Sequence, residues 1–204
     1  MAAPIVYVVD DEPAVRDSIA MLLRSVDLKS RTFSNARDFL AQYDRGVPAC
    51  LITDVRMPGM SGLELQETLT SAGAALPVII VTGHGDIAMA VRAMKAGAAD
   101  FLEKPFKEQQ LLDAVHRALA QQQTKTAPSA TRAEYEARIE ALTPREREVM
   151  LLVAEGHPNK VVASRLNLST RTVEVHRANA MDKLQAKSLA EVVRIAIACG
   201  LLQT

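Results

Sequence analysis

Three aspartates, a threonine and a lysine stand where short apolar runs end, and these are the residues of the 204-residue chain best suited to chemistry. Asp10 and Asp11 follow the run Ile5 to Val9, Asp54 follows Cys50 to Thr53, Thr82 follows Pro77 to Val81, and Lys104 lies just past Asp100-Phe101-Leu102. A lone aspartate in such a place is more often a turn or cap residue than a reacting group. If the four runs are neighbouring parallel strands, however, their carboxyl ends share one edge, where open α/β sheets bind ligands. Two carboxylates about 4 Å apart repel by roughly 4 kcal/mol at an effective dielectric near 20, and one lysine cannot neutralise three of them. A hard divalent cation that keeps several waters, Mg²⁺, suits such an oxygen-only set. Beside it Asp54 becomes a nucleophile toward phosphorus, with Thr82 and Lys104 placed to meet phosphoryl oxygens.

The elements needed to hold those residues are readable from patterning. Pro13 suits the first turn of a helix, and Val15, Ile19, Leu22, Leu23 and Val26 recur at helical spacing. Lys29 to Phe33 is a second strand, and Asn35 caps a helix reaching Tyr43. After Asp54, Pro58, Gly59 and Gly62 break the strand before Leu63, Leu65 and Leu69 mark the next helix. Asp86 can cap a helix carrying Ile87, Ala90, Val91 and Met94, which Gly97 stops; Leu111, Leu112, Val115 and Leu119 mark a last one. Five strands alternating with five helices predict a doubly wound, five-stranded parallel sheet.

Gln121 to Thr131 has linker composition, and Arg132 to Leu142 can continue it as helix. Beyond it no strand pattern remains. Thr143 and Glu146 form a capping box ahead of an apolar face, a short helix opens at Asn159, a longer one runs from Thr170 to Leu184, and a fourth from Ser188 to Cys199. The predicted division is 1–122, a linker over 123–142, and an all-α, four-helix domain over 143–204. Charge divides the same way. Up to Gln123 there are 12 Lys+Arg against 15 Asp+Glu, and afterwards 12 against 9, so the second part is the more tolerant of a polyanion. Hydrophobic residues make up 49% of the chain, but no apolar run spans a bilayer and no basic-then-apolar leader is seen, which predicts a cytoplasmic protein away from membranes. Cys50 and Cys199 have no metal-type spacing and read as reduced thiols.

V-V-D-D-E, I-T-D-V-R-M-P-G-M-S-G, V-T-G-H-G-D and D-F-L-E-K-P-F together resemble the CheY-like receiver domain of two-component response regulators. The resemblance implies that Asp54 accepts a phosphoryl group from a phosphohistidine on a sensor histidine kinase. It implies that Asp11, Asp54 and the backbone carbonyl of Arg56 hold Mg²⁺, with Asp10 assisting. It further makes Thr82 and Phe101 a switch pair, Lys104 a phosphate ligand with a cis bond to Pro105, and Arg56 and His84 the side chains that tune the lifetime of the acyl phosphate. Added phosphate charge draws Thr82 inward and lets Phe101 follow, so the face from Ile87 to Phe101 is the expected bistable element.

T-P-R-E-R-E-V-M and N-K-V-V-A-S-R-L-N-L-S-T-R-T-V-E-V-H-R-A-N-A-M-D-K-L resemble the LuxR-type helix-turn-helix, whose third helix enters the major groove. Glu146, Met150 and Gly156 match positions that hold that fold together. On a helical wheel Val173, Ala180 and Leu184 share one face, and Arg171, Glu174, Val175 and Ala178 lie opposite as candidates for base edges. Thr170, Thr172, Lys160, Arg177 and Lys183 are candidates for phosphates, which position without reading sequence. The small positive excess favours a homodimer on half-sites about 10 base pairs apart or a multiple. The implied partners are promoter DNA and, for an activator, RNA polymerase. T-G-H-G-D, A-M-K-A-G-A and Q-A-K-S-L resemble the NarL/FixJ branch, which implies a haem oxygen-sensing kinase and microaerobic control of nitrogen fixation, or alternatively control of aromatic catabolism. A third reading is a Mg²⁺-dependent aspartyl-phosphate phosphatase; its D-x-D after the first strand is replaced here by an adjacent Asp pair.

Overall fold

The computed structural model describes residues 3–83, 87–123 and 132–202. Five strands, β1 (Ile5–Val9), β2 (Lys29–Phe33), β3 (Ala49–Asp54), β4 (Val78–Thr82) and β5 (Asp100–Glu103), pair in parallel in the order β2-β1-β3-β4-β5. Helices α1 (Pro13–Ser25), α2 (Ala36–Gln42), α3 (Gly62–Ser71), α4 (Ile87–Lys95) and α5 (Glu108–Gln123) alternate with them. The expected doubly wound order is therefore present, with strand ends shifted by a residue or so from the sequence reading. Central β3 and β4 are buried throughout, while edge strand β2 buries only Phe33, which matches its polar Lys-Ser-Arg-Thr run.

The two faces of the sheet are packed differently. Val6, Val8, Cys50, Ile52, Ile79 and Val81 join Ile19 and Leu23 of α1 and Leu111, Val115 and Leu119 of α5 in one apolar cluster. On the other face Tyr7, Phe33, Phe39 and Tyr43, four of the chain's seven aromatics, stack or meet edge to face at centroid distances of 5.3 to 6.2 Å. Burial pushes the Cys50 thiol up to about 12, as an inert core residue requires.

Packing divides the chain into two compact units, 1–84 with 97–127 and 85–96 with 128–204, so α4 groups with the C-terminal helices rather than with the sheet segment around it. Those helices are α6 (Arg132–Glu140), α7 (Pro144–Ala154), α8 (Asn159–Leu166), α9 (Thr170–Leu184) and α10 (Leu189–Ala198). In this unit α4 lies against α10, and Ile87 reaches the cluster of Val149, Val153, Val162, Ala163 and Val173. The Thr143–Glu146 capping box forms as expected, with the Thr143 oxygen accepting from the Glu146 N–H and Glu146 accepting from the Thr143 N–H. The Asp86 cap lies outside the described residues.

Candidate functional site

Each residue of the acidic pocket owes its place to a strand that stops. In β1 the run of β-branched residues ends at Asp10, whose carboxylate Oδ1 accepts the Glu12 N–H at 2.9 Å, and Pro13 starts α1. In β3 the chain ends on Asp54; its Oδ2 accepts the Arg56 N–H at 2.5 Å, which fixes one lobe of the carboxylate. Gly62 then brings α3 against this strand end: its N–H donates to Val55, and a Cβ there would stand 2.1 Å from the Asp54 carbonyl oxygen. No residue larger than glycine fits without moving that backbone. Ser61 caps the helix through Glu64 in a second capping box.

β5 supplies the cation. Lys104 donates its backbone N–H to the Thr82 carbonyl at 2.8 Å, tying the two strand ends, and its Nζ stands 2.8 Å from Asp10 Oδ2 and 3.1 Å from Asp54 Oδ1. Asp10, Asp54 and Thr82 are 2%, 7% and 1% exposed, so this ammonium works where water screens little. Burial pulls the Lys104 pKa down, but the two carboxylate hydrogen bonds and their charges outweigh it, and the net shift is upward. Phe101 is buried on β5, and the Lys104-Pro105 bond is cis.

Three carboxylates around a common cavity were expected, whereas among the described residues no group of three or more His, Cys, Asp or Glu side chains stands close enough to hold a metal ion. Asp10 and Asp54 converge because Lys104 bridges them; Asp11 stays exposed. Asp10, Asp11 and Asp54 against Lys104 still leave an excess of negative charge on oxygen donors, the donor type and charge that Mg²⁺ selects. His84 lies outside the described residues.

The second group of candidates lies along α9. Val173, Ala180 and Leu184 are buried as the helical wheel required, and Arg171, Glu174, Val175 and Ala178 are exposed. Arg171 and Glu174 pair with each other at 3.4 Å. Thr170 and Lys160 are exposed, Arg177 half-buried. Two phosphate candidates are engaged within the protein: Thr172 Oγ1 shares a 2.7 Å hydrogen bond with the N-cap Ser169 Oγ, and Lys183 Nζ donates to Glu146 Oε2 at 2.7 Å. Lys183, with help from the Thr143 N–H and against burial, holds the Glu146 carboxyl down at about 2. Asn179, exposed four residues after Val175, belongs to the same outward face and was missed; the i, i+4 spacing would have found it, and its amide can pair with an adenine edge.

Residues 6–116 match the response regulator receiver domain, and residues 140–196 match the bacterial regulatory proteins of the luxR family. The chain belongs to the two-component response regulators, with a receiver preceding a LuxR-type DNA-binding segment: a phosphorylation-controlled transcription regulator. Such a pair of domains implies a cognate histidine kinase and promoter DNA. Among its relatives, the transcriptional regulatory protein FixJ of Azorhizobium caulinodans is 48% identical over 96% of this chain and 92% of its own. The response regulator protein TodT of Pseudomonas putida is 44% identical over 95% of this chain and 85% of its own. Among solved structures, the response regulator StyR (TM-score 0.58, 44% identity, 96% of this chain and 99% of that one) and full-length FixJ from B. japonicum (0.55, 41%, 98% of each) are similar throughout. Among the described residues no helix is long and apolar enough to cross a membrane.

Proposed function

We propose that Asp54 is the phosphoacceptor. A carboxylate oxygen of Asp54 attacks the phosphorus of a phosphohistidine, the P–N bond breaks, and the imidazole leaves with that electron pair and takes up a proton, so an acyl phosphate forms and the histidine is restored. What carries this reading is the Lys104 ammonium bridging Asp54 and Asp10, in place to receive an equatorial phosphoryl oxygen as the charge on Asp54 is masked. Asp10, Asp11, Asp54 and the Arg56 carbonyl would hold Mg²⁺, which supplies charge neutralisation at the phosphoryl oxygens. Thr82 donates its hydroxyl to a second oxygen. Water returns the carboxylate by attack at phosphorus, at a rate tuned by the side chains of Arg56 and His84.

Phosphate adds about −1.5 to −2 charges, and Thr82 with Phe101 responds to it, changing the balance of arrangements open to the face 87–101. Two copies then pair, and two α9 helices read half-sites about 10 base pairs apart or a multiple. Arg171, Glu174, Val175 and Ala178 meet base edges; Lys160, Thr170 and Arg177 meet phosphates, and Thr172 and Lys183 reach them only by giving up the bonds described above. The functional division is a receiver over 1–122, a linker over 123–142 and the DNA-binding domain over 143–204. The protein acts in the cytoplasm as an activator that engages RNA polymerase. The FixJ-like motifs favour a haem oxygen-sensing kinase and nitrogen-fixation genes; the second reading, control of aromatic catabolism, rests on the same motifs, which regulators of aromatic degradation in this branch share.

One experiment tests the mechanism. The protein is treated with Mg²⁺ and a small acyl phosphate, and oligomeric state and DNA affinity are measured in the same sample. Dimerisation together with tighter DNA binding is expected. Labelling that changes neither refutes the coupling, and steady release of phosphate from a free ester refutes the reading in favour of an enzyme.

A further inference from the structure

We propose that α6, the helix ahead of the luxR-family match, belongs to the DNA-reading module, and that Arg138 is a positioning residue for the recognition helix. The proposal deepens the DNA-binding reading and rests on it.

The last four carbonyls of a helix have no partner within it. At the end of α9, Gln185 turns left-handed at φ 54°, and two of these carbonyls are met locally, Asp182 by the Gln185 N–H and Met181 by the Ala186 N–H. The carbonyl of Leu184 is met from outside: Arg138 Nη1 of α6 donates to it at 3.4 Å. A guanidinium in this place also opposes the negative end of the helix dipole. It is held there by its own helix, since the Arg138 side chain lies 5.8 Å from the ring centroid of Tyr135, one turn earlier. The next residue, Ile139, is 6% exposed and faces Leu142, Met150, Leu184 and Ile195 across a cavity of about 20 Å³. Meanwhile Lys183, in the same last turn of α9, is fastened to Glu146 of α7.

The last turn of α9 is thus secured on two sides, by Lys183 to α7 and by Arg138 and Ile139 to α6. A helix of 15 residues is about 22 Å long, so a small tilt at this anchored end moves the outward residues of the first turns by more than a base-edge hydrogen bond tolerates. Arg138 therefore acts on DNA through α9. Loss of its hydrogen bond should erode discrimination between sequences, while contacts to phosphate persist.

The test uses the full chain and two duplexes of equal length, one selected from a random pool by the wild-type protein and one scrambled. Arg138→Gln should lower affinity for the selected duplex about tenfold, leave the scrambled duplex within twofold, and leave the slope of log affinity on log salt unchanged. Arg138→Lys, which keeps a donor and a charge at the helix end, should recover most of the loss at an unchanged thermal midpoint. Equal binding of the selected duplex by Arg138→Gln and wild type overturns the proposal. So does an equal loss on both duplexes with the salt slope reduced by about one, which would make Arg138 a phosphate contact. A wild-type chain that enriches no sequence overturns the DNA-binding reading itself.

Discussion

The pocket around Asp54 and the outward face of α9 both depend on a few polar side chains, but they are built in opposite ways. Four pocket residues come from four different strand ends and are held by one another: Lys104 by Asp10 and Asp54, Asp54 by the Arg56 N–H, the strand end by Gly62. The α9 face comes from one helix at regular spacing and is open to water, and its first contacts are with itself, as in the Arg171–Glu174 pair. A convergent buried site should respond to substitution as a unit; a single exposed helix should respond residue by residue.

The largest effect should come from Lys104→Met. It leaves two buried carboxylates facing each other without their cation and removes the proposed ligand of the transferred oxygen, so the initial rate of labelling by an acyl phosphate should fall about 100-fold. Combined with Asp10→Asn the loss should be non-additive by about 0.5–3 kcal/mol; strict additivity would mean that the pocket residues act separately, as the α9 face does. Next is Gly62→Ala, whose Cβ meets the Asp54 carbonyl at 2.1 Å; it should cost about 1–3 kcal/mol in denaturant unfolding, and slow labelling although it removes no functional atom. Arg171→Ala, by contrast, should cost about 1–3 kcal/mol at one base position in a binding-site selection and leave the others alone.

A smaller effect is set by pH. The Glu146 carboxyl is held from its ordinary value of 4.5 down to about 2, so its stabilisation is present above 4.5 and declines as pH falls toward 2. Acid unfolding followed by circular dichroism should show a shallower decline in Lys183→Met over that window, because the variant has less of this stabilisation to lose. The smallest effect belongs to Tyr7→Phe. The Tyr7 hydroxyl is fully buried and has no hydrogen-bond partner among the described residues, so its removal should leave stability unchanged or raise it by up to about 1 kcal/mol, with the aromatic cluster intact.

What could be read in the sequence follows the same contrast. Strand ends, the capping box at Thr143, and the buried stripe of α9 are local patterns, and each appears within a residue or so of its expected place. The approach of Lys104 to both Asp10 and Asp54 follows from parallel strand order, so it too could be anticipated. Pairings between distant segments could not. Lys183 sits on the polar side of its helix and looks free until α7 folds Glu146 against it, and Arg138 meets Leu184 across 46 residues of chain. Charge counting finds the excess of carboxylates at this edge but not which of them a lysine draws together, here Asp10 and Asp54.

The most direct test of the central claim is where the phosphoryl group goes. After treatment with Mg²⁺ and an acyl phosphate, peptide mapping by mass spectrometry should find one phosphoryl group per chain, on Asp54, and Asp54→Asn should take up none. Equal labelling of Asp54→Asn, or a label mapped to any other residue of the wild-type chain, would contradict it.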